Sequence, residues 1–109
     1  LTVWGTGNQL RSFVYGPDVA EAVIQLREAG ATGPEHLGPL ERVSIREVAE
    51  LIRDLVKPGL PIQFDSSKPE GKSFPDTAIL HSVLRSFSWT PLQEGLRRTV
   101  DWLKDSGTL

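Results

Sequence analysis

"VWGTGNQLRSF", residues 3–13, decides how the rest of the chain is read. Gly5 and Gly7 stand two apart after an apolar pair, as at the start of a loop that cradles a dinucleotide. Such a fingerprint needs a third glycine or alanine three residues on, at the point where a helix opens and receives the pyrophosphate on its N-terminus. That position is Leu10, and the following "RSFVY" is aromatic and β-branched, which favours a strand. The stretch therefore reads as a glycine-rich turn joining two short strands, residues 2–4 and 10–15, with a bend at Gly7-Asn8.

The bulk composition bounds the rest. A chain of 109 residues fits one domain and typically buries somewhat over about 60 % of its unfolded surface, enough for a modest core. The net charge is −2 with both signs interspersed, so nothing marks a nucleic-acid partner. There is no cysteine, which excludes disulfides and thiolate metal sites and suits a reducing, cytoplasmic setting. No apolar run approaches the roughly 18 residues of a membrane span, so no membrane partner is expected. The chain opens at Leu1 in strand-like sequence without a methionine, as part of a longer protein would.

Three helices are legible. "GPDVAEAVIQLREAG" (16–30) has Pro17 and Asp18 in its first turn, Gly30 at its end, and Val19, Val23 and Leu26 on one stripe beside Ala22. "VSIREV" holds a capping box, Ser44 with Glu47, and Val43 and Val48 are spaced as a hydrophobic staple. That helix runs to Val56, with Ile45, Val48, Ala49, Ile52, Leu55 and Val56 on one face, and Pro58-Gly59 stops it. "LPIQF" (60–64) reads as a strand and "DSSKPEGKSFP" (65–75) as a loop. A short helix is expected over Thr77–Leu84. The last helix lies in "TPLQEGLRRTVDWLKDSG" (90–107), with Thr90 and Gln93 as a second capping box and Leu92, Leu96, Val100 and Leu103 on one side. Gly95 inside it costs up to about 1 kcal/mol relative to alanine and marks close packing where it marks anything. Trp89 and Trp102 are expected in the core. The fold class is α+β, a small lobe of three to four helices with short strands.

The ordered set of motifs resembles one family. Trp4-Gly5, Gly7, Arg11, Phe13, Tyr15, Asp18 and Ala20 are similar to a stretch of the extended short-chain dehydrogenases/reductases, the NAD-dependent epimerase/dehydratase family acting on nucleotide sugars. "EHLGPLERVSIREVAELI" resembles its short strand, turn and "vSI-x-E-x-A" helix, and "FSWTPLQEGLRRTVDWL" its "LGW-x-P" ending. The resemblance covers nearly the whole chain in the right order. It implies that residues 1–109 are the C-terminal substrate-binding lobe of a Rossmann-type enzyme. The N-terminal half, with the NAD or NADP loop and the Tyr-x-x-x-Lys pair, is not represented. The single tyrosine, Tyr15, is followed four residues on by Val19.

The resemblance also implies which residues meet the substrate, a nucleoside-diphosphate sugar. Arg11 matches an arginine that contacts the diphosphate, and a guanidinium fork suits phosphate oxygens; the plain alternative is a surface ion pair. Trp4, beside Gly5, either lines the sugar or base pocket or packs under the turn. Lys68 and Lys72 follow from "SKPEGK", where relatives place a basic residue after a Pro-acidic-Gly turn. Lys72 either fills that role, or a deletion before Asp76 has removed it. Asp18 reads as helix-start electrostatics, and His36 and His81 lack ligand spacing. No nucleophile–base pair or metal set emerges. The chain is expected to orient substrate, to bind no cofactor itself and not to catalyse alone. Its partners are expected to be the nucleotide sugar, the missing Rossmann half and, in isolation, further copies of itself. The rival reading is a stand-alone, non-enzymatic binding module.

Overall fold

The computed structural model describes residues 1–32, 37–39, 41–71 and 87–109. Their elements are β1 (Thr2–Trp4), β2 (Leu10–Arg11), α1 (Gly16–Glu28), β3 (Val43–Ser44), α2 (Ile45–Val56), β4 (Gln63–Asp65) and α3 (Leu92–Asp105). The α+β lobe with short strands is as the sequence implies. Lys72, His36, His81 and the helix expected over Thr77–Leu84 lie outside the described residues.

The two strands around the glycine turn do not pair with each other. β1 runs parallel to β4, with Val3 opposite Phe64, and β2 pairs antiparallel with β3, with Arg11 opposite Val43. The expected strand over 10–15 shrinks to two residues because β3 is only two residues long. Beyond it the Ser12 hydroxyl donates to the Pro39 carbonyl at 2.7 Å in place of a ladder bond. β4 begins three residues later than expected, since its partner β1 offers only three residues to pair with.

α2 has the expected bounds and cap, but Val56, expected on its packed face, is 40 % exposed at the last turn. The Ser44 hydroxyl accepts from the Glu47 N–H at 3.1 Å, satisfying one of the donors that every helix start leaves open. Val48 and Ala49 are buried, and α2 packs against α3 and β1. On α3, Val100 is buried and Leu92, Leu96 and Leu103 are half-buried. Trp102 is 65 % exposed, not core. It lies two residues beyond Val100, about 200° around the helix from the packed stripe. Gly95 is buried, and an added Cβ would meet the Tyr15 Cβ at 3.4 Å, so its small size lets α3 approach the start of α1.

The second capping box does not form. Pro91 stands at the N-cap of α3 without a side-chain cap, and Thr90 is committed elsewhere. Its N–H and hydroxyl both donate to the Asp18 carboxylate, at 2.6 and 2.8 Å. Asp18 thus does more than sit in the positive first turn of α1: it ties α1 to the entry of α3. Past this tie α1 is thinly covered. Ala22 is fully buried, but Val23, expected on the packed stripe, is 52 % exposed, and Ile24 is exposed beside it.

The two ties are expected to differ in strength. Ser44→Ala should cost about 1 kcal/mol. Asp18→Ala should cost more, roughly 1.5–3 kcal/mol, because it removes two hydrogen bonds to one charged group. Denaturant unfolding of both variants measures the order; equal midpoints would show that the Asp18–Thr90 tie contributes nothing beyond an ordinary cap.

Candidate functional site

The site grows from the glycine turn. Gly5 and Gly7 have φ of +72° and +77°, a region that L side chains avoid. The Gly5 N–H donates to the Asp65 carbonyl at 2.9 Å, carrying the β1–β4 pairing into the turn. A Cβ on Gly7 would sit 3.1–3.2 Å from Phe64, Arg46 and Val3, so β1, α2 and β4 close on that one α-carbon.

The carbonyls of the turn cap α2. Gly7 accepts from the Arg46 N–H at 2.9 Å and Gln9 from the Ile45 N–H at 3.1 Å. With Ser44 bound to Glu47, the open donors of this helix start are engaged by protein. The Arg46 side chain reinforces the docking, lying 4.5 Å from the Phe64 ring and donating to the Thr6 carbonyl at 3.2 Å. A dinucleotide loop needs free N–H groups at a helix that opens from the loop itself. Here no helix follows Gly7 until Gly16, and the described residues do not fit a pyrophosphate cradle.

Trp4 is 54 % exposed at the end of β1. The Lys68 ammonium lies 5.8 Å from its ring centre, within cation–π range. Arg11 is half-buried on β2, its Nη1 donating to the Leu10 carbonyl at 3.0 Å. Its Nη2 faces Gly71: a Cβ there would come within 3.1 Å of it. The segment from Lys68 to Gly71 therefore touches Trp4 at one end and Arg11 at the other.

Between those ends lies a residue that the sequence reading missed. The Glu70 carboxylate accepts from the Thr6 N–H at 3.3 Å and from the Thr6 hydroxyl, which in turn accepts from the Asn8 N–H at 3.2 Å. The hydroxyl bond holds the Glu70 carboxyl below the usual carboxylate range. A Cβ on Gly5 would lie 2.8 and 2.9 Å from Glu70 Cβ and Cγ. The signal available in the sequence was the acid set between Pro69 and a glycine, Gly71, which takes a φ of +75°. Among the described residues no group of three His, Cys, Asp or Glu could hold a metal, and no helix is long and apolar enough to cross a membrane.

This arrangement of strands, capped helix and glycine turn is that of the extended short-chain dehydrogenases/reductases that act on nucleotide sugars, as the order of motifs implies. Within that family the motifs most resemble GDP-mannose 3,5-epimerase and GDP-L-fucose synthase, and the second is found among the relatives. The chain is 38 % identical over 107 residues to GDP-L-fucose synthase 1 of Arabidopsis thaliana, covering 94 % of this chain and 32 % of that enzyme. It is 33 % identical over 104 residues to UDP-glucuronic acid decarboxylase 1 of Danio rerio, covering 94 % of this chain and 25 % of the decarboxylase. It superposes on a GDP-L-fucose synthetase from Naegleria fowleri with a TM-score of 0.80 and 26 % identity, over 98 % of this chain and 34 % of that one. That enzyme has also been solved bound to NADP. No family model matches. The chain spans about a third of the length of the curated GDP-L-fucose synthases it matches.

The turn should be intolerant of any side chain at Gly5. Gly5→Ala meets both the left-handed backbone, which costs about 1–2 kcal/mol, and Glu70. Gly30→Ala, at φ +75° with nothing within 4 Å of the added Cβ, meets the first cost alone. Thermal unfolding should place Gly5→Ala well below Gly30→Ala; equal midpoints would mean that Glu70 swings away freely.

Proposed function

We propose that this chain is the C-terminal, nucleotide-sugar-binding part of an NAD(P)-dependent epimerase, dehydratase or reductase. Arg11 holds the diphosphate. Trp4 lies along the base or the sugar, and Gly5 shapes the turn that presents it. Lys72, next along the chain from Gly71, adds a second positive charge. The observation that carries this reading is the meeting of Trp4 and Arg11 on one short segment, Lys68 to Gly71, so that an aromatic face and a guanidinium flank a common surface.

The likeness to enzymes named for GDP- and UDP-sugars supports the ligand class. The family resemblance implies hydride exchange with a nicotinamide, and the glycine turn lacks the following helix of a dinucleotide loop. In this reading the cofactor belongs to the remaining two-thirds of the protein, and this lobe contributes orientation and neutralisation of the diphosphate. The exposed Phe13, Val14, Val23 and Ile24 agree with a lobe that packs against further protein. Without it, self-association is the expected consequence.

The test is the affinity of the full-length protein for guanosine diphosphate, by calorimetry. Arg11→Ala should weaken binding by about ten- to hundredfold, the scale of roughly 1.5–3 kcal/mol for a hydrogen bond to a charged group. Arg11→Lys should recover part of the loss, since a point charge cannot reproduce the fork. Equal affinity of wild type and Arg11→Ala would overturn the phosphate role.

A further inference from the structure

Glu70 makes no contact of the kind a substrate needs: its carboxylate is turned into the protein's own glycine turn. One oxygen, Oε1, takes both the Thr6 N–H and the Thr6 hydroxyl. That hydroxyl is engaged on both sides, accepting from Asn8 while donating to Glu70, and serial bonds of this kind strengthen one another. The aliphatic part of Glu70 occupies the space that any Gly5 side chain would need.

The backbone on either side of Glu70 is fixed as well. Upstream, the Asp65 carbonyl accepts from both Gly5 and Lys68, while the Asp65 carboxylate accepts from the N–H and hydroxyl of Ser67. Downstream, Gly71 brings bare backbone against the Arg11 guanidinium. The acid thus stands where the segment contacting Trp4 and Arg11 is fastened to the turn from which both side chains spring.

We infer that Glu70 is the positioning residue of the nucleotide site, clasping the Gly5–Thr6 turn so that Trp4 and Arg11 are set together and lost together. The inference rests on Arg11 and Trp4 binding the nucleotide.

Glu70→Ala, Glu70→Gln and Thr6→Val in the full-length protein test it, with guanosine diphosphate and guanosine monophosphate as probes. Gln retains an acceptor at the Oε1 position, so Glu70→Gln should bind the diphosphate within about twofold of wild type. Glu70→Ala should lose about tenfold, the scale of one hydrogen bond to a charged group, and Thr6→Val an intermediate amount. Because the loss acts through Arg11, Glu70→Ala should also shrink the preference for diphosphate over monophosphate. The double variant with Arg11→Ala should lose less than the two single losses combined. Wild-type affinity in both Glu70→Ala and Thr6→Val would overturn the clasp, as would equal losses in Glu70→Ala and Glu70→Gln. An unchanged preference for diphosphate, or full additivity with Arg11→Ala, would reduce Glu70 to a general structural role and overturn it equally. Should Glu70→Ala fail to fold, Thr6→Val carries the same comparisons. If Arg11→Ala itself binds normally, the nucleotide reading fails and takes this inference with it. If only the Glu70 and Thr6 variants bind normally, the inference fails alone.

Discussion

Everything in this lobe depends on a backbone path that no side chain can share. Between Gly5 and Gly7 the chain turns through two left-handed residues while three other segments close on it. β4 meets it through the Asp65 carbonyl, α2 through the Gly7 and Gln9 carbonyls, and the Lys68–Gly71 segment through Glu70. A Cβ at either glycine would push one of these away. From Gly5 to Gln9 each residue commits a backbone group to a protein partner.

This arrangement offsets a thin core. Val3, Ala22, Val48, Ala49 and Val100 are the buried apolar side chains among the described residues, and none is large. Burial on this scale gives little margin against the conformational entropy of a chain this size. Directional polar ties therefore matter more than they would in a larger domain. Asp18 to Thr90 and Glu70 to Thr6 each join segments far apart in sequence, and Ser44 to Glu47 closes the start of α2.

What the sequence revealed and what it hid follow from the range of the forces involved. α2 was legible from cap to stop, Val56 excepted, because its signals are local: a cap, an apolar stripe of helical period and a Pro-Gly end. The failures were all non-local. Nothing near residues 2–4 says that their partner is 63–65, so the reading stopped at a turn joining two short strands. Thr90 carried the right residue type for a cap, but Asp18, 72 positions away, took both its donors. Trp102 read as core because tryptophan usually is, although its angle from Val100 already placed it off the packed face. In the site, Arg11 and Trp4 were readable as chemistry and as a resemblance. Glu70 was not, because its role is set by the Gly5 backbone, which only folding brings beside it.

The parallel pairing of β1 with β4 also orders events in time. Thr2 pairs with Gln63, so β1 waits for roughly sixty further residues before its partner exists. At synthesis rates of about 5–20 residues per second, that is a delay of about 3–12 s. Until β4 is made the glycine turn lacks its ladder partner, and β1 presents an unpaired edge carrying Val3 and Trp4. An edge left open for seconds is open to other chains as well as to its own. Its three-residue length limits that hazard, leaving too short a template for a stranger to pair with firmly. The brevity of the strand, which looks like weak structure in the finished fold, serves as protection during its making.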